Sequence, residues 1–225
     1  MNNLITIGLP SKGRLKDKAI SFFNNCGLKI LQSEKERNYF ATIESNTNLK
    51  IIFLHAQEII QRLGDGTLDV GISGLDLLME SGKNLINKIN IKRKLKFGNA
   101  DLVVAVPNDW IDVQTIADLE EVSFDIRKKR NTRLRVATKY EKLTNNFLIS
   151  KGVTQYKLVR SLGATETYPF IGSSEVIVDI TSTGKTLTDN NLRILKDGLI
   201  LKSTACLLSA KRSEKKLFNF IKSLN

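Results

Sequence analysis

The segment from Val176 to Leu187 holds the residue types best suited to chemistry in this sequence, and it reads VIVDITSTGKTL. An apolar strand pattern ends in Asp179. The small residues that follow it are Thr181, Ser182, Thr183, Gly184 and Thr186. Such a loop before a helix is typical of phosphate-binding sites, because backbone N–H groups and hydroxyls converge there and the helix dipole favours a dianion. The segment predicts a phosphate site, and an ordinary strand–helix turn with a threonine cap is the alternative.

The Gly184-Lys185-Thr186 triplet also matches the end of a nucleotide-binding P-loop, G-x-x-x-x-G-K-[ST]. The first glycine of that pattern would fall at position 179, which Asp179 occupies, so the P-loop interpretation fails. A carboxylate before the loop suits a phosphorylated sugar instead, because it can accept hydrogen bonds from ribose hydroxyls or hold Mg²⁺. The segment resembles the loop that binds phosphoribosyl pyrophosphate in phosphoribosyltransferases.

Short apolar runs alternate with amphipathic stretches along the chain, which predicts βαβ units in an α/β fold with parallel or mixed sheets. Strand patterns cover residues 4–9, 50–54, 70–73, 102–106, 134–138 and 176–180; helix patterns follow Pro10 as far as Gly27 and cover 58–64, 75–80, 141–150 and 187–192. Shifts in composition near 92–99 and 181–186 predict two crossings between lobes. We expect residues 1–94 plus 185–225 in the first lobe and residues 95–184 in the second, with the ligand beyond the strand ends in the cleft.

Composition narrows the classes of function. The sequence has 35 Lys and Arg against 23 Asp and Glu, a net charge of +12, which predicts an anionic partner: nucleic acid, an acidic membrane or a phosphorylated small molecule. The strongest basic cluster, residues 127–135, lacks interleaved aromatic residues, which favours a solvated loop over a nucleic-acid interface. No apolar run reaches the ~20 residues that span a bilayer, and the N-terminus lacks the features of a signal peptide. We expect a cytoplasmic protein with neither a nucleic-acid nor a membrane partner.

Cysteine and histidine supply neither a disulfide framework nor a metal site. Cys26 and Cys206 each lie in an apolar segment, which predicts buried free thiols. His55 is the single histidine, so a multi-histidine metal site is excluded. It follows a strand without a recognisable catalytic partner, and we predict a hydrogen-bonded loop residue.

Four further motifs accompany the phosphate loop in a fixed order. They are LPSKGRL at 9–15, LDVGISGLDLL at 68–78, RVATKY at 135–140 and GSSE at 172–175. Their order and spacing resemble the ATP phosphoribosyltransferases, which catalyse the first step of L-histidine biosynthesis, and the resemblance covers residues 4–208. It implies transfer of a phosphoribosyl group from phosphoribosyl pyrophosphate to N1 of ATP, giving phosphoribosyl-ATP and pyrophosphate. It also implies two lobes resembling type II periplasmic binding proteins, with mixed sheets flanked by helices and substrates in the cleft.

The resemblance further implies roles for individual residues. Lys12, Arg14 and Glu175 are the expected catalytic residues, and the two cations would hold phosphate oxygens. A helix N-terminus disfavours positive charge, so the presence of Lys12 and Arg14 there supports a functional role for the pair. For Glu175 a solvated strand residue is the alternative. The expected phosphoribosyl pyrophosphate ligands are Asp179, Thr181, Ser182, Thr183, Gly184, Lys185 and Thr186. The expected ATP ligands are Arg37, Asp69, Gly71, Ser73, Lys139 and Tyr140, with Tyr140 packing on the adenine ring and Lys139 contacting a phosphate. For Asp69 a local cap or ion pair is the alternative.

The implied reaction needs no general base, because N1 of adenine is a neutral nucleophile. Catalysis would rest on orientation and on stabilisation of the departing pyrophosphate. Mg²⁺ would be held mainly by substrate phosphates, with Asp179 as the candidate protein ligand.

The length of the chain resembles that of the short form of the family. This form implies a homodimer alone and a hetero-octamer with a regulatory subunit related to histidyl-tRNA synthetase. Two alternatives from other classes remain at the level of sequence. They are a two-lobed protein that binds or senses a small molecule without catalysis, and a nucleic-acid-binding protein suggested by the charge of +12.

Overall fold

The chain forms two α/β units, and the computed structural model describes residues 4–32, 39–44 and 46–224. The first unit contains Met1–Gly98 and Thr204–Asn225, and the second contains Asn99–Ser203. The elements in chain order are β1 (Ile5–Pro10), α1 (Gly13–Asn25), β2 (Ile30–Gln32), β3 (Phe40–Ile43), β4 (Asn46–Leu54), α2 (Ala56–Asp65), β5 (Val70–Gly74), α3 (Leu75–Ser81), α4 (Lys83–Ile86), β6 (Ile89–Lys94), β7 (Ala100–Pro107), α5 (Ile116–Arg130), β8 (Leu134–Thr138), α6 (Glu141–Ser150), β9 (Tyr156–Arg160), β10 (Val176–Thr181), α7 (Lys185–Asp189), β11 (Leu192–Ser203), β12 (Ala205–Ala210) and α8 (Glu214–Ser223). Short 3₁₀ turns cover Thr165–Thr167 and Lys211–Ser213.

The first unit is built on a seven-stranded sheet in the order β2-β3-β4-β1-β5-β12-β6. Strands β4, β1 and β5 are parallel, and β12 runs antiparallel to both β5 and β6. One apolar cluster includes Phe23 of α1 and Leu217 of α8, and another includes Ile59 of α2 and Leu78 of α3. The sheet therefore has apolar layers contributed by both helix pairs, as expected for buried parallel strands.

Helix α2 shows why these residues form this local structure. Ile59, Ile60 and Leu63 are buried on one face of the helix, and His55 caps its start by accepting a hydrogen bond on Nδ1 from the N–H of Gln57 (3.4 Å). The helix ends at Gly66, whose φ of 85° is the left-handed conformation that terminates many helices. The capping bond confirms the prediction of a hydrogen-bonded loop role for His55.

The second unit contains a five-stranded sheet in the order β11-β7-β10-β8-β9. Strands β10, β8 and β9 are parallel, whereas β7 is antiparallel to β10 and to β11. The carboxyl ends of the three parallel strands consequently share one edge of this sheet. Both units have mixed sheets flanked by helices, which confirms the predicted fold class.

The boundaries between the units differ from the predicted ones. The chain leaves the first unit after Gly98 and returns at Thr204, rather than at 94/95 and 184/185. The chain returns to the first unit later than predicted because β11 pairs with β7 in the second sheet. This pairing extends from Leu192 opposite Pro107 to Ser203 opposite Ala100, so α7 and β11 belong to the second unit. The polar turn at 181–186 is a strand–helix loop inside that unit. None of the described helices is long and apolar enough to span a membrane.

Candidate functional site

The predicted phosphate loop connects β10 to α7 in the second unit. Val176–Val178 are buried, and the side chains of Ser182, Thr183, Lys185 and Thr186 are exposed. Gly184 has a φ of +76°, in the left-handed region that favours glycine. A Cβ atom added at this glycine would meet no heavy atom within 4 Å. The loop therefore has open space beside its glycine.

Two hydroxyl groups hold the turn in shape. Thr181 Oγ1 accepts a hydrogen bond from the N–H of Gly184 (2.8 Å), and Thr183 Oγ1 accepts one from the N–H of Lys185 (3.3 Å). Hydroxyl groups often stabilise turns in this way. The loop thus presents small polar side chains and one lysine on a surface that a phosphate could approach.

Asp179 lies two residues before the loop, and its side chain is half-buried. Its Oδ1 accepts a hydrogen bond from the N–H of Ile180 (2.8 Å). Burial raises the pKa of Asp179 above its ordinary value, and the Glu166 carboxylate acts in the same direction. The N–H of Ile180, the charge of Lys139 and a hydrogen bond from Thr165 offset only part of this rise in pKa. A carboxylate that is costly to ionise at a strand end is typical of a binding site.

Sequence reasoning missed the contribution of the 3₁₀ turn Thr165–Thr167. Thr165 is fully buried, and Glu166 is close enough to Asp179 to affect its pKa. The turn precedes β10 in the chain without being adjacent to it, and the pairing of β9 with β8 and of β8 with β10 brings the two together. No local pattern could have indicated that contact.

Lys139 and Tyr140 follow the end of β8 on the same sheet edge. Lys139 is exposed and lies within electrostatic reach of Asp179. Tyr140 is only 6% exposed and precedes the first residue of α6. Its ring is packed inside the unit, so the expected stacking on adenine does not fit the described surface of this residue.

Glu175 lies at the opposite end of β10 from the phosphate loop. It pairs with Arg135, whose Nη2 lies 2.6 Å from Glu175 Oε1 and whose backbone N–H donates to Oε2 at 2.7 Å. Burial alone would raise the pKa of Glu175, but the hydrogen bonds and charge of Arg135 hold it below the ordinary value. Six strand residues separate Glu175 from Ser182, roughly 20 Å at ~3.3 Å per residue. The geometry gives Glu175 a structural role and does not bring it to the loop.

Lys12 and Arg14 lie in the first unit, where β1 leads into α1. Lys12 is the N-terminal cap residue of α1, its side chain is exposed and it makes no capping hydrogen bond. Arg14 is in the first turn of the helix, which contains no acidic residue. The start of α1 therefore has two basic residues and no acidic residue.

Asp69 stands immediately before β5, at the amino end of the parallel strands, and is 4% exposed. Its carboxylate accepts hydrogen bonds from Lys216 Nζ (2.7 Å), Ser213 Oγ (2.7 Å) and the N–H and hydroxyl of Thr6 (2.9 and 3.0 Å). Burial alone would raise the pKa of Asp69, but these partners hold it below its ordinary value. The structure therefore uses Asp69 to join elements of the first unit, away from the carboxyl ends of the strands where the ATP site was expected.

Gly71 and Ser73 also have internal roles. A Cβ at Gly71 would lie 2.6 Å from Ile59 Cγ2 and 2.9 Å from the carbonyl oxygen of Gly8, so glycine is needed for close packing. Ser73 is fully buried, and its hydroxyl donates to the carbonyl oxygen of Ala56 (2.7 Å). Both residues support the fold and offer no surface to ATP. Arg37, another predicted ATP ligand, lies outside the described residues.

Asp179 is the predicted protein ligand of Mg²⁺, and its surroundings show how many carboxylates are at hand. Within residues 4–32, 39–44 and 46–224 no three His, Cys, Asp or Glu side chains form a metal-binding group. Asp179 and Glu166 are near enough to disfavour ionisation of Asp179, which a bound cation would relieve. One or two carboxylates with phosphate oxygens and water are the usual surroundings of Mg²⁺ beside a phosphorylated substrate.

These features define a class: a two-unit α/β protein with the architecture of type II periplasmic binding proteins and a hydroxyl-rich loop after a carboxylate-bearing strand. The fold is shared by the arginine-bound form of truncated ArgBP from Thermotoga maritima, at a TM-score of 0.54 and 17% identity over 99% of this chain and 94% of that chain. The sequence model described as ATP phosphoribosyltransferase matches residues 55–225. The chain belongs to the ATP phosphoribosyltransferase family.

Individual relatives agree with this assignment. The ATP phosphoribosyltransferase of Brucella melitensis biotype 2 is 49% identical over 210 residues, 93% of this chain and 91% of that protein. A relative of the same name from Brucella ovis is 48% identical with the same coverage. The ATP phosphoribosyl transferase (HisG:HisZ) complex from Thermotoga maritima contains a chain with a TM-score of 0.73 and 23% identity, over 98% of this chain and 96% of that one. The predicted pentosyltransferase activity, at the first step of histidine biosynthesis, is confirmed and favoured over a non-catalytic binding protein.

Proposed function

We propose that Thr181–Thr186 holds the 5′-phosphate of phosphoribosyl pyrophosphate and that Asp179 accepts hydrogen bonds from the ribose hydroxyls during transfer to N1 of ATP. The observation that carries this proposal is the placement of a half-buried carboxylate two residues before a loop with open space beside Gly184. A sugar phosphate has a dianion at one end and hydroxyl donors a few ångströms away. The loop offers donors for the phosphate, and Asp179, two residues before it, offers an acceptor for the hydroxyls.

The loop supplies several kinds of phosphate contact. The exposed hydroxyls of Ser182 and Thr183 can donate, and the exposed Lys185 adds a positive charge. Any side chain at position 184 would extend into the open space beside the turn. These contacts bind the unreacting end of the sugar, so their binding energy can orient the anomeric carbon for attack.

Asp179 acts on the sugar, and Lys139 balances charge beside it. Ribose hydroxyls donate to the ionised carboxylate, which compensates for the burial that raises its pKa. Mg²⁺ bound with the substrate would neutralise the diphosphate, and Asp179 is the residue proposed to hold it or its water ligands. Lys12 and Arg14 are proposed to bind phosphate oxygens, because both stand at the start of α1 without an acidic residue in the first turn.

We further propose a regulatory partner and a cellular location. The similar Thermotoga maritima chain is in a complex with HisZ, which supports a related, histidyl-tRNA-synthetase-like subunit for this chain. A homodimer alone, a hetero-octamer with that subunit and a cytoplasmic location belong to the same proposal. If regulation acts through the partner, histidine will not inhibit the purified chain at concentrations that inhibit the reconstituted complex.

The phosphate loop is tested by a pair of glycine variants. Gly184→Val should lower kcat/KM for phosphoribosyl pyrophosphate at least a hundredfold, because the valine enters the space assigned to the phosphate. Gly172→Val is the matched control: it has a φ of +70°, its Cβ also meets nothing within 4 Å, and it lies before the other end of β10. Both variants carry a similar backbone strain, about 1–2 kcal/mol.

Initial rates with ATP, phosphoribosyl pyrophosphate and Mg²⁺, with pyrophosphatase added to draw the reaction forward, measure the effect. Titration with ribose 5-phosphate measures binding separately. Equal losses of activity in the two variants, or normal turnover by Gly184→Val, would show that the phosphate binds elsewhere.

A further inference from the structure

A cavity of about 400 Å³ lies in the first unit, between α1 and the segment that follows β6. The residues that line it from α1 are spaced at i, i+3, i+4 and i+7, so they form one stripe of the helix: Lys18, Ser21, Phe22 and Asn25. The other wall is formed by the end of β6 and the chain after it, as far as Phe97. None of the residues proposed above to bind substrate is in this lining.

Hydrogen bonds fix the wall that follows β6. The N–H of Leu95 donates to the carbonyl oxygen of Ala205 (2.8 Å), and the N–H of Ala205 donates to the carbonyl oxygen of Phe97 (3.1 Å). The hydroxyl of Thr204 lies 2.8 Å from the carbonyl oxygen of Leu95 and 3.0 Å from that of Phe97. A ligand would therefore enter a preformed cavity and would not have to order this segment.

Two aromatic rings give the cavity apolar surface. Phe22 and Phe97 are both half-buried, and both pack against the apolar cluster that contains Phe23 and Leu217. Leu95, between the two walls, is 6% exposed. Rings that are anchored on one side and line a cavity on the other offer a flat apolar ligand a rigid contact surface.

The charged side chains of the lining are all positive, and they are Lys18, Arg93, Lys94 and Lys96. Arg93 is held in place, because its Nη1 donates to the carbonyl oxygen of Leu224 (3.0 Å) and its guanidinium lies 6.0 Å from the centre of the Phe22 ring. Within the part of the chain that the structure describes, none of the three lysines forms an ion pair with a carboxylate. A bound anion would supply the counter-charge.

We propose that this cavity binds a small aromatic anion, with its ring against Phe22 and Phe97 and its acidic group beside Lys18 and Arg93. An inorganic anion alone would leave both aromatic walls in contact with water, and a neutral aromatic molecule would leave the positive charges unbalanced. The volume is within the range of small-molecule sites, about 300–1,000 Å³. The inference is independent of the proposed phosphate loop, which belongs to the second unit.

A charge reversal at the cavity tests the proposal. The probe is 8-anilinonaphthalene-1-sulfonate, an aromatic anion that reports binding to apolar surface by fluorescence, titrated into the full chain with ribose 5-phosphate present to occupy the phosphate loop. Lys18→Glu should weaken its affinity about tenfold, because a positive charge beside the sulfonate becomes negative. Lys128→Glu is the matched control: this lysine is exposed in the last turn of α5, and its reversal changes the net charge equally but should leave the affinity unchanged.

Filling the cavity tests its shape without changing its charge. Ser21→Trp should abolish binding of the probe, because the indole would occupy the space between the two walls. Ser150→Trp is the control, since both serines are exposed on helices and each hydroxyl donates to a preceding carbonyl oxygen, Asp17 at 2.9 Å and Phe147 at 2.7 Å. Melting temperatures establish that the variants are folded.

Competition identifies which part of the ligand matters. Phenyl phosphate and phenylacetate should displace the probe, whereas inorganic phosphate and 2-phenylethanol at the same concentration should not. Equal displacement by phosphate alone would reduce the site to an anion site, and equal displacement by the neutral alcohol would reduce it to an apolar one; either result overturns the proposal. Wild-type affinity in folded Lys18→Glu and Ser21→Trp, or equal losses in the two controls, would place the probe elsewhere and overturn it as well.

Discussion

Two aspartates, one in each unit, have surroundings that shift their pKa values in opposite directions. Asp69 is 4% exposed and has hydrogen-bond partners on both oxygens, and its pKa is held below the ordinary value. Asp179 is half-buried beside Glu166, and its pKa is raised. The glycines near the two aspartates also differ in the space around them. A Cβ at Gly71 would clash with its neighbours, whereas a Cβ at Gly184 would extend into open space.

The contrast shows how a motif of one composition can serve either structure or binding. Asp69 stands at the amino end of parallel strands, where the first unit surrounds it with α8 and the preceding turn. Asp179 stands near the carboxyl end of β10, where the chain turns into the loop proposed to bind phosphate. A buried carboxylate whose negative charge is compensated by hydrogen bonds and a counter-ion stabilises the fold. A carboxylate whose ionisation is not compensated within the protein is suited to an external partner.

The largest expected effects come from replacing each aspartate by asparagine. Asp179→Asn should lower kcat/KM for phosphoribosyl pyrophosphate about a hundredfold, since two charge-assisted hydrogen bonds are worth about 1.5 kcal/mol each, and should not lower the free energy of unfolding. Asp69→Asn should lower the free energy of unfolding by about 3 kcal/mol, because Lys216 loses its buried counter-ion. Initial rates and urea denaturation check both expectations. Loss of catalysis by folded Asp69→Asn protein would remove the contrast.

A smaller effect is expected from adding one methyl group to a glycine. Gly71→Ala should lower the free energy of unfolding by about 2 kcal/mol, because its Cβ would lie 2.9 Å from the backbone oxygen of Gly8 and neither strand can move freely. Gly163→Ala, near the edge of the second sheet, is the control, because its Cβ would meet nothing within 4 Å. Thermal or urea unfolding measures the difference. Equal stability of the two variants would mean that the first unit relaxes around Gly71.

The smallest effects concern the dependence of stability on pH. The lowered pKa of Asp69 means that its stabilisation is present above the unfolded pKa, about 3.9, and is lost as pH falls through the folded pKa. The raised pKa of Asp179 has the reverse sign: stability is lost as pH rises from about 3.9 through the folded pKa. Asp179→Asn should therefore gain in melting temperature over the wild type as pH rises from about 4 to about 7, in buffer without Mg²⁺.

Asp69→Asn provides the mirror image. The melting temperature of Asp69→Asn should lie below that of the wild type by a nearly constant amount at neutral pH, and this difference should shrink as pH falls below about 4. Parallel pH profiles for the two variants would contradict the opposite pKa directions.

Local patterns in the sequence predicted many elements well. The strand predicted at 134–138 and the helix at 141–150 agree with β8 and α6 residue for residue, because each has clear apolar periodicity and a glycine or threonine at its limit. The strand β11 was missed. Its residues include Arg193, Lys196 and Asp197, and it has register shifts against β7, so its pattern is not that of a regular strand. That omission placed the return crossing at 185 instead of Thr204.

The site shows the same limit of local reasoning. The loop after β10 could be predicted, since strand end, carboxylate, glycine and hydroxyls are consecutive residues. The family resemblance implies that Glu175 is a catalytic residue, yet β10 separates it from the loop and Arg135 binds its carboxylate. Thr165 and Glu166 were missed because only the pairing of three strands brings them to Asp179. Sequence proximity along a strand is therefore a poor guide to proximity in space.

The strand order of the first sheet has a consequence for synthesis on the ribosome. In that sheet β12 lies between β5 and β6, and β6 has no other neighbour among the described strands. The second unit, residues 99–203, is translated in full before β12. Domains generally fold as they emerge, so the nascent chain can complete its middle portion while its earliest portion still waits for a central strand. The part of the enzyme that is made first is the last to be finished.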